Sequence, residues 1–373
     1  MTVSIDNVIS STYIVIAIFI VAIFLSAKKK KHQEFFSSVV SQELKGLATF
    51  MILFGHIGYF LVTDHRFLFP LSIAAGVGVN LFLFLSGYGL STSAMHHPLT
   101  IWQFYKKRLA KLFIPMWLVL LVFLLLDYFI LQRTYSLSYI ALSFLGWFRT
   151  ADLATDINSP LWYFSFILFY YLLFPLVFSK KYYWLSAWFI YLSSYFLLRG
   201  HETSRFIDII NLFKIHLLAF PLGVLLGGLY AQRHRLSRLV KAVRAFVHHE
   251  KISHMIGYYI LAIILLAIFV YTAYHSNVDT KPLKEQVTSL ITLSAILLIF
   301  LMKKFDIKLF SLFGFYSYEI YLLHWPILYR YDVFYQYLPA WLATILYLVL
   351  FILLAWFLKK ISSLILHLKN QSG

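Results

Sequence analysis

The chain has 373 residues, of which 61% are hydrophobic and 13% charged, with a mean hydropathy of +0.79. A soluble domain carries about 45–50% apolar and about 25% charged residues, so lipid is the main solvent and a soluble enzyme is excluded. The formal charge of +17 would suit a polyanion, but the basic residues cluster between apolar runs, as membrane topology requires, and nucleic acid is not an expected partner. The chain contains no cysteine, which excludes thiol nucleophiles, thiolate metal sites and disulfides together.

Apolar stretches long enough to cross about 30 Å of hydrocarbon as helix recur from end to end. They run approximately over 10–27, 45–62, 73–95, 112–131, 160–179, 182–198, 212–231, 255–274, 285–302, 308–328 and 339–358. The predicted fold is therefore an all-α polytopic transmembrane helical bundle of about eleven spans. The first span precedes Lys28 to Lys31, which reverses the charge order of a secretory signal, so it is expected to be retained. Residues 1–39 form this N-terminal span with a basic cytoplasmic linker, and residues 40–373 form the main membrane domain with a cytoplasmic tail. If Lys28 to Lys31 face the cytoplasm, roughly 23 of the 32 Lys and Arg are inside, the bias of the positive-inside rule. The expected location is the cell membrane, multi-pass, with the N-terminus outside and the C-terminus inside.

Two connections exceed turn length. The outer one, Gln132 to Ser159, carries Tyr135, Tyr139, Phe144, Trp147 and Phe148 with Asp152 and Asp156, which suits a sugar-binding surface and an interfacial aromatic belt equally. The inner one sets Arg233, Arg235, Arg238, Lys241 and Arg244 among Leu236, Leu239, Val240 and Val243. It reads as a basic amphipathic helix on the anionic inner leaflet.

An ionisable group inside hydrocarbon is costly and marks a candidate site. Lys45 and His56 stand eleven residues apart in the second span, about three turns, so both leave one helix face about 16 Å apart. Lys45 falls at the cytoplasmic edge and His56 past the bilayer centre. Such a histidine is as readily an interhelical hydrogen bonder as a base. In the third span Gly76, Asn80 and Gly87 share a stripe that permits close helix approach. The run Phe104-Tyr105-Lys106-Lys107-Arg108-Leu109-Ala110-Lys111 enters the fourth span as a topology anchor or a phosphate site. In the tenth, Glu319 and His324 project about 140° apart. Glu319 is expected to orient a catalytic group or to cap a cation such as Lys214, and His324 to lie at the outer interface. Asp127 and His216 read as membrane-edge groups.

The Lys-x10-His spacing, the segment Gly76-Val77-Gly78-Val79-Asn80-Leu81-Phe82-Leu83-Phe84-Leu85-Ser86-Gly87 and the basic run ending in Ile114-Pro115 occur in that order. After them come Leu161-Trp162-Tyr163-Phe164 with Tyr170 to Pro175, and Tyr316-Ser317-Tyr318-Glu319-Ile320-Tyr321-Leu322-Leu323-His324-Trp325-Pro326. Together they resemble the membrane-bound acyltransferase-3 family over roughly residues 40–360. The resemblance implies a ten-helix core, preceded here by one additional span, that moves an acyl group, usually acetyl, from cytoplasmic acyl-coenzyme A to a hydroxyl of an extracytoplasmic glycan. It implies His56 as the essential histidine and Lys45 in place of the family's usual Arg. Arg108 and Lys111 stand at a pair usually written as two arginines, and Asn80 stands where many members have Asp. The acidic residue that many relatives carry after the Trp162 segment is absent.

The predicted catalytic set is thus His56, Lys45 and Glu319. The predicted donor contacts are Lys45, Lys107, Arg108, Lys111, Asn80 and Ser86. Acetyl-coenzyme A is the expected acyl donor, with no metal. A surface glycan or lipid-linked saccharide is the expected acceptor, among membrane lipid, and a homo-oligomer or a separate extracytoplasmic partner protein is left open. A transporter or flippase without chemistry and an assembly subunit for a lipid-linked glycan are the rival readings.

Overall fold

The computed structural model describes residues 2–30, 36–199, 207–232, 252–275 and 282–371. The basic segment Arg233 to Lys251 and Lys31 lie outside the described residues. In chain order the helices are α1 (Val8–Ser26), α2 (Ser38–Gly55), α3 (Ala75–His96), α4 (Ile101–Phe129), α5 (Leu137–Phe144), α6 (Trp162–Val177) and α7 (Tyr183–Arg199). After them come α8 (Ile207–His216), α9 (Ala219–Ala231), α10 (Ile252–His275), α11 (Pro282–Met302), α12 (Lys308–Phe315), α13 (Ser317–Tyr329) and α14 (Ala340–Gln371). Nine described helical stretches are long and apolar enough to cross a membrane, and the protein is an all-α polytopic bundle. Of the eleven apolar runs, the remaining two correspond to α7, 17 residues long, and to the pair α12–α13, broken at Tyr316.

Burial ranks the helices. Of the α2 span 72% is buried, against 11% for α10, so α2 is the central strut and α10 faces lipid. Close approach to α2 depends on glycine. A Cβ on Gly46 would collide with the backbone carbonyl of Phe310, and one on Gly314 with that of Gln42, so α12 lies backbone to backbone against α2. Gly87 and Gly223 make the same reciprocal contact between α3 and α9.

Three helices carry an internal proline, which withholds the N–H that the carbonyl four residues earlier would accept. In hydrocarbon that carbonyl needs another partner. Pro326 frees Leu322 O, which accepts from Asn158 Nδ2 at 2.8 Å. In the break before α9, Leu217 O accepts from the Tyr170 hydroxyl at 3.3 Å. At Pro115 and Pro175 the carbonyl three residues earlier is taken instead, Leu112 O by Tyr318 at 2.5 Å and Leu172 O by Tyr105 at 2.7 Å. Asn158 and three tyrosines thereby lock helices together at their bends.

Helix α1 is fastened at both ends. Val3 N donates to Leu61 O at 2.9 Å and Thr63 N to Val3 O at 3.1 Å. At the other end strand β1 (Ala27–Lys29) pairs antiparallel with β2 (Phe305–Ile307). Beside that ribbon the buried Lys303 ammonium meets Glu43 at 2.7 Å, and Ile307 N also donates to Glu43.

Asp127 is not at a membrane edge in the sense expected. It is fully buried, pairs with Arg330, and accepts from Tyr135 at 2.5 Å and Tyr331 at 2.6 Å. Arg330 also donates to Tyr135 at 2.8 Å and to Ile157 O. The other carboxylates of the outer segment are hydrogen-bonded within it, Asp156 buried and Asp152 exposed. Asp156 accepts from Thr150 at 2.6 Å and from Asp152 N at 2.8 Å, and Asp152 from Ala154 N and Thr155 N. Burial raises the Asp156 carboxyl above its ordinary range, whereas the Thr155 N–H lowers that of Asp152. These groups are consumed in holding the loop's shape.

Candidate active site

At its end α2 widens into a π-helical turn, His56–Leu61, with the His56 N–H shared between Ile52 O and Leu53 O. Such turns recur at functional sites because they re-aim a side chain. Here His56 faces α13. Its Nδ1 lies 2.7 Å from His324 Nε2, and the two rings are parallel within 3°.

The protons in this pair follow from what surrounds it. His324 Nδ1 is 2.9 Å from Tyr321 O and 3.2 Å from Ile320 O. Carbonyl oxygens only accept, so His324 Nδ1 carries a proton, and in the neutral ring Nε2 is an acceptor. His56 Nδ1 must then donate, which leaves His56 Nε2 with its lone pair. The buried His324 thus acts as an orienting partner, and the half-buried His56 presents a basic nitrogen. The expectation that His324 is interfacial is corrected, for it is fully buried.

Both His56 and the basic residues line one cavity of 970 Å³. At one end are Lys45, Arg108 and Lys111, with Ser86 and Ser317. Lys45 lies within the electrostatic reach of Arg108 and Lys359, and Lys111 within that of Lys107, Arg108 and Lys359. Glu319 approaches this cluster, 3.3 Å from Lys359 Nζ. Five cations with one carboxylate, which meets Lys359 alone, leave a positive excess that favours an anionic ligand. Tyr163, Tyr318 and Tyr321 wall the middle, and Ser72, Gly76, Ser159, Trp162 and His216 line the same cavity.

The structure therefore brings His56, Lys45, Arg108, Lys111 and Ser86 to one cavity. Lys107 is exposed beside it. Asn80, expected among the donor contacts, instead holds His216 Nδ1 at 2.8 Å. Glu319 caps Lys359 and not Lys214. His216 is buried on the cavity wall and not a membrane-edge group. Sequence reasoning missed three contributors: His324, whose partner is 268 residues away; Lys359, which resembles any topology anchor; and His216.

The fold and site are those of an integral membrane protein that combines an oriented imidazole with a cationic pocket in a single cavity. The sequence model of the acyltransferase-3 family, described as an acyltransferase domain, matches residues 44–360, and the chain belongs to this family of membrane acyltransferases. The match begins within α2, after α1. No curated protein and no solved structure matches the chain.

Proposed function

We propose that the protein is an O-acyltransferase of the cell membrane that takes an acetyl group from coenzyme A at the cation-lined end and delivers it to a glycan hydroxyl at the opposite, extracytoplasmic end. The observation that carries this reading is the shared cavity, in which the Lys45, Arg108 and Lys111 cluster and the basic nitrogen of His56 face the same space. The cations suit the phosphates of coenzyme A, with Arg108 supplying the planar fork that Lys lacks. The aromatic middle suits a thioester kept from water.

In this reading His56 Nε2 takes the proton from the acceptor hydroxyl as its oxygen bonds to the acyl carbon. The carbon–sulfur bond breaks, and His56 returns the proton to the departing thiolate. The products are the ester and free coenzyme A. His324 holds the His56 tautomer throughout, and no metal is needed. A carrier for a lipid-linked glycan would share the cavity, and the cation cluster would suit its lipid phosphate, but the oriented nitrogen would have no task in it.

The test is His56→Ala and His56→Gln in purified protein. An intramembrane hydrogen bond contributes only about 0.6 kcal/mol on average, so both variants should fold and bind coenzyme A. Acyl transfer should fall by roughly 10²–10⁴-fold, the range of a lost general base. Full acylation by a folded His56→Ala protein would remove the catalytic role and favour the carrier or assembly subunit.

A further inference from the structure

The cavity wall holds a second imidazole that the base chemistry does not use. His216 ends α8, just before the break at Leu217 and Leu218, and is 4% exposed. Its Nδ1 is 2.8 Å from Asn80 Oδ1. An amide oxygen only accepts, so Nδ1 carries the proton and Nε2 the lone pair. The Trp162 ring lies nearly parallel, 16° away in plane at a centroid distance of 5.8 Å, and fixes the ring's orientation. His216 Nε2 has no hydrogen-bond partner among the described residues, and the residue lines the cavity.

Both imidazoles pack near the start of α3: a Cβ on Gly76 would come within 3.9 Å of His216 Cε1, and one on Gly55, next to His56, within 2.6 Å of Ala75 Cβ. Both rings line one chamber. The buried Ser72 hydroxyl lines the same chamber and is also without a partner among the described residues.

We propose that His216, fixed by Asn80 and backed by Trp162, is a hydroxyl-binding subsite for a carbohydrate acceptor. This rests on the acyltransferase reading and names the substrate class more narrowly. A lone pair in this place selects a neutral O–H donor. An anion has no proton to offer, and the neighbouring wall of Ile73, Val79 and Leu212 supplies no countercharge for a cation. A molecule that puts one hydroxyl at His56 and another at His216 is polyhydroxylated, and the aromatic wall suits the apolar face of a sugar ring. His216 is thus a positioning residue for the acceptor and takes no part in proton transfer.

The experiment is equilibrium binding of a panel of methyl glycosides, and of their monodeoxy analogues, to the purified full-length protein by saturation-transfer NMR, with coenzyme A binding followed in parallel. At least one glycoside should bind wild type. Its affinity should fall roughly 5- to 150-fold in His216→Ala, the scale of an unpaired buried hydroxyl, with coenzyme A affinity unchanged. His216→Gln, which keeps an acceptor oxygen, should retain part of the affinity. If His216→Ala does not fold, the ligand series decides on wild type alone, where one monodeoxy analogue should bind correspondingly more weakly. No glycoside binding to wild type, equal affinity in a folded His216→Ala, or indifference to every deoxy position would overturn the subsite. Coenzyme A binding with glycosides indifferent to His216 removes the subsite and spares the acyltransferase reading. Glycoside binding that depends on His216 without coenzyme A binding does the reverse.

Discussion

At the scale of single residues the site turns on which nitrogen holds which proton. His324→Leu removes the acceptor for His56 Nδ1–H, releases the tautomer and leaves a buried donor unpaired. It should lower kcat by roughly 10–100-fold, the scale of losing an orienting partner, with coenzyme A affinity unchanged. His324→Gln, which offers an amide oxygen, should recover part of the rate. Steady-state kinetics with donor binding measured alongside checks both, and a folded His324→Leu protein with wild-type kcat would refute the orienting role. Arg108→Ala should weaken coenzyme A by about 1–3 kcal/mol, and the loss should shrink as salt rises. Unchanged donor affinity across the salt series would put the donor elsewhere. Lys45, His56 and the basic run were legible in the sequence because they share a face or a short segment. The His56 to His324 contact was not, because helical phase places a residue on its own helix and says nothing of which helix lies opposite.

At the scale of elements, hydrophobic runs announced the helices well but not their interruptions. The α12–α13 break at Tyr316 and the π-helical turn at His56 lie inside runs apolar enough to read as single spans, where no periodicity marks them. Asp127 and Arg330 show the same limit. Each sits near the end of an apolar run and reads as an edge group, yet together they tie the end of α4 to the end of α13 and to the outer segment. Arg330→Met would strand the fully buried Asp127 and should destabilise the fold by about 3–5 kcal/mol, the usual result of breaking one side of a buried pair. Asp127→Asn with Arg330→Met should regain much of that, since the double change removes the stranded charge. Thermal unfolding in detergent separates the two. A single variant with the wild-type midpoint would show that the pair does not hold the outer segment.

At the scale of the whole molecule the two ends of the bundle differ in charge, which bears on how the chain sits in a membrane. Strand pairing puts Lys28 beside Asp306, and Lys30 N donates to Lys304 O at 3.2 Å. Lys45, Arg108 and Lys359 lie within reach of one another at the same end. Asp64 and Arg66 pair at 2.6 Å at the opposite end, near the start of α3, and the arginine holds the Asp64 carboxyl down to about 2. Each Lys or Arg near an anionic leaflet contributes about 1 kcal/mol, so the cation-rich end should face the cytoplasm. Both His65 and Lys106 are exposed, and the protein has no cysteine of its own. A membrane-impermeant maleimide applied to intact cells should therefore label His65→Cys and spare Lys106→Cys until the cells are opened. The reverse pattern would invert the molecule and place the cation-lined end of the cavity outside, where cytoplasmic coenzyme A does not reach. Labelling at both positions in intact cells would show two orientations, and the proposed direction of transfer would then hold for only one of them.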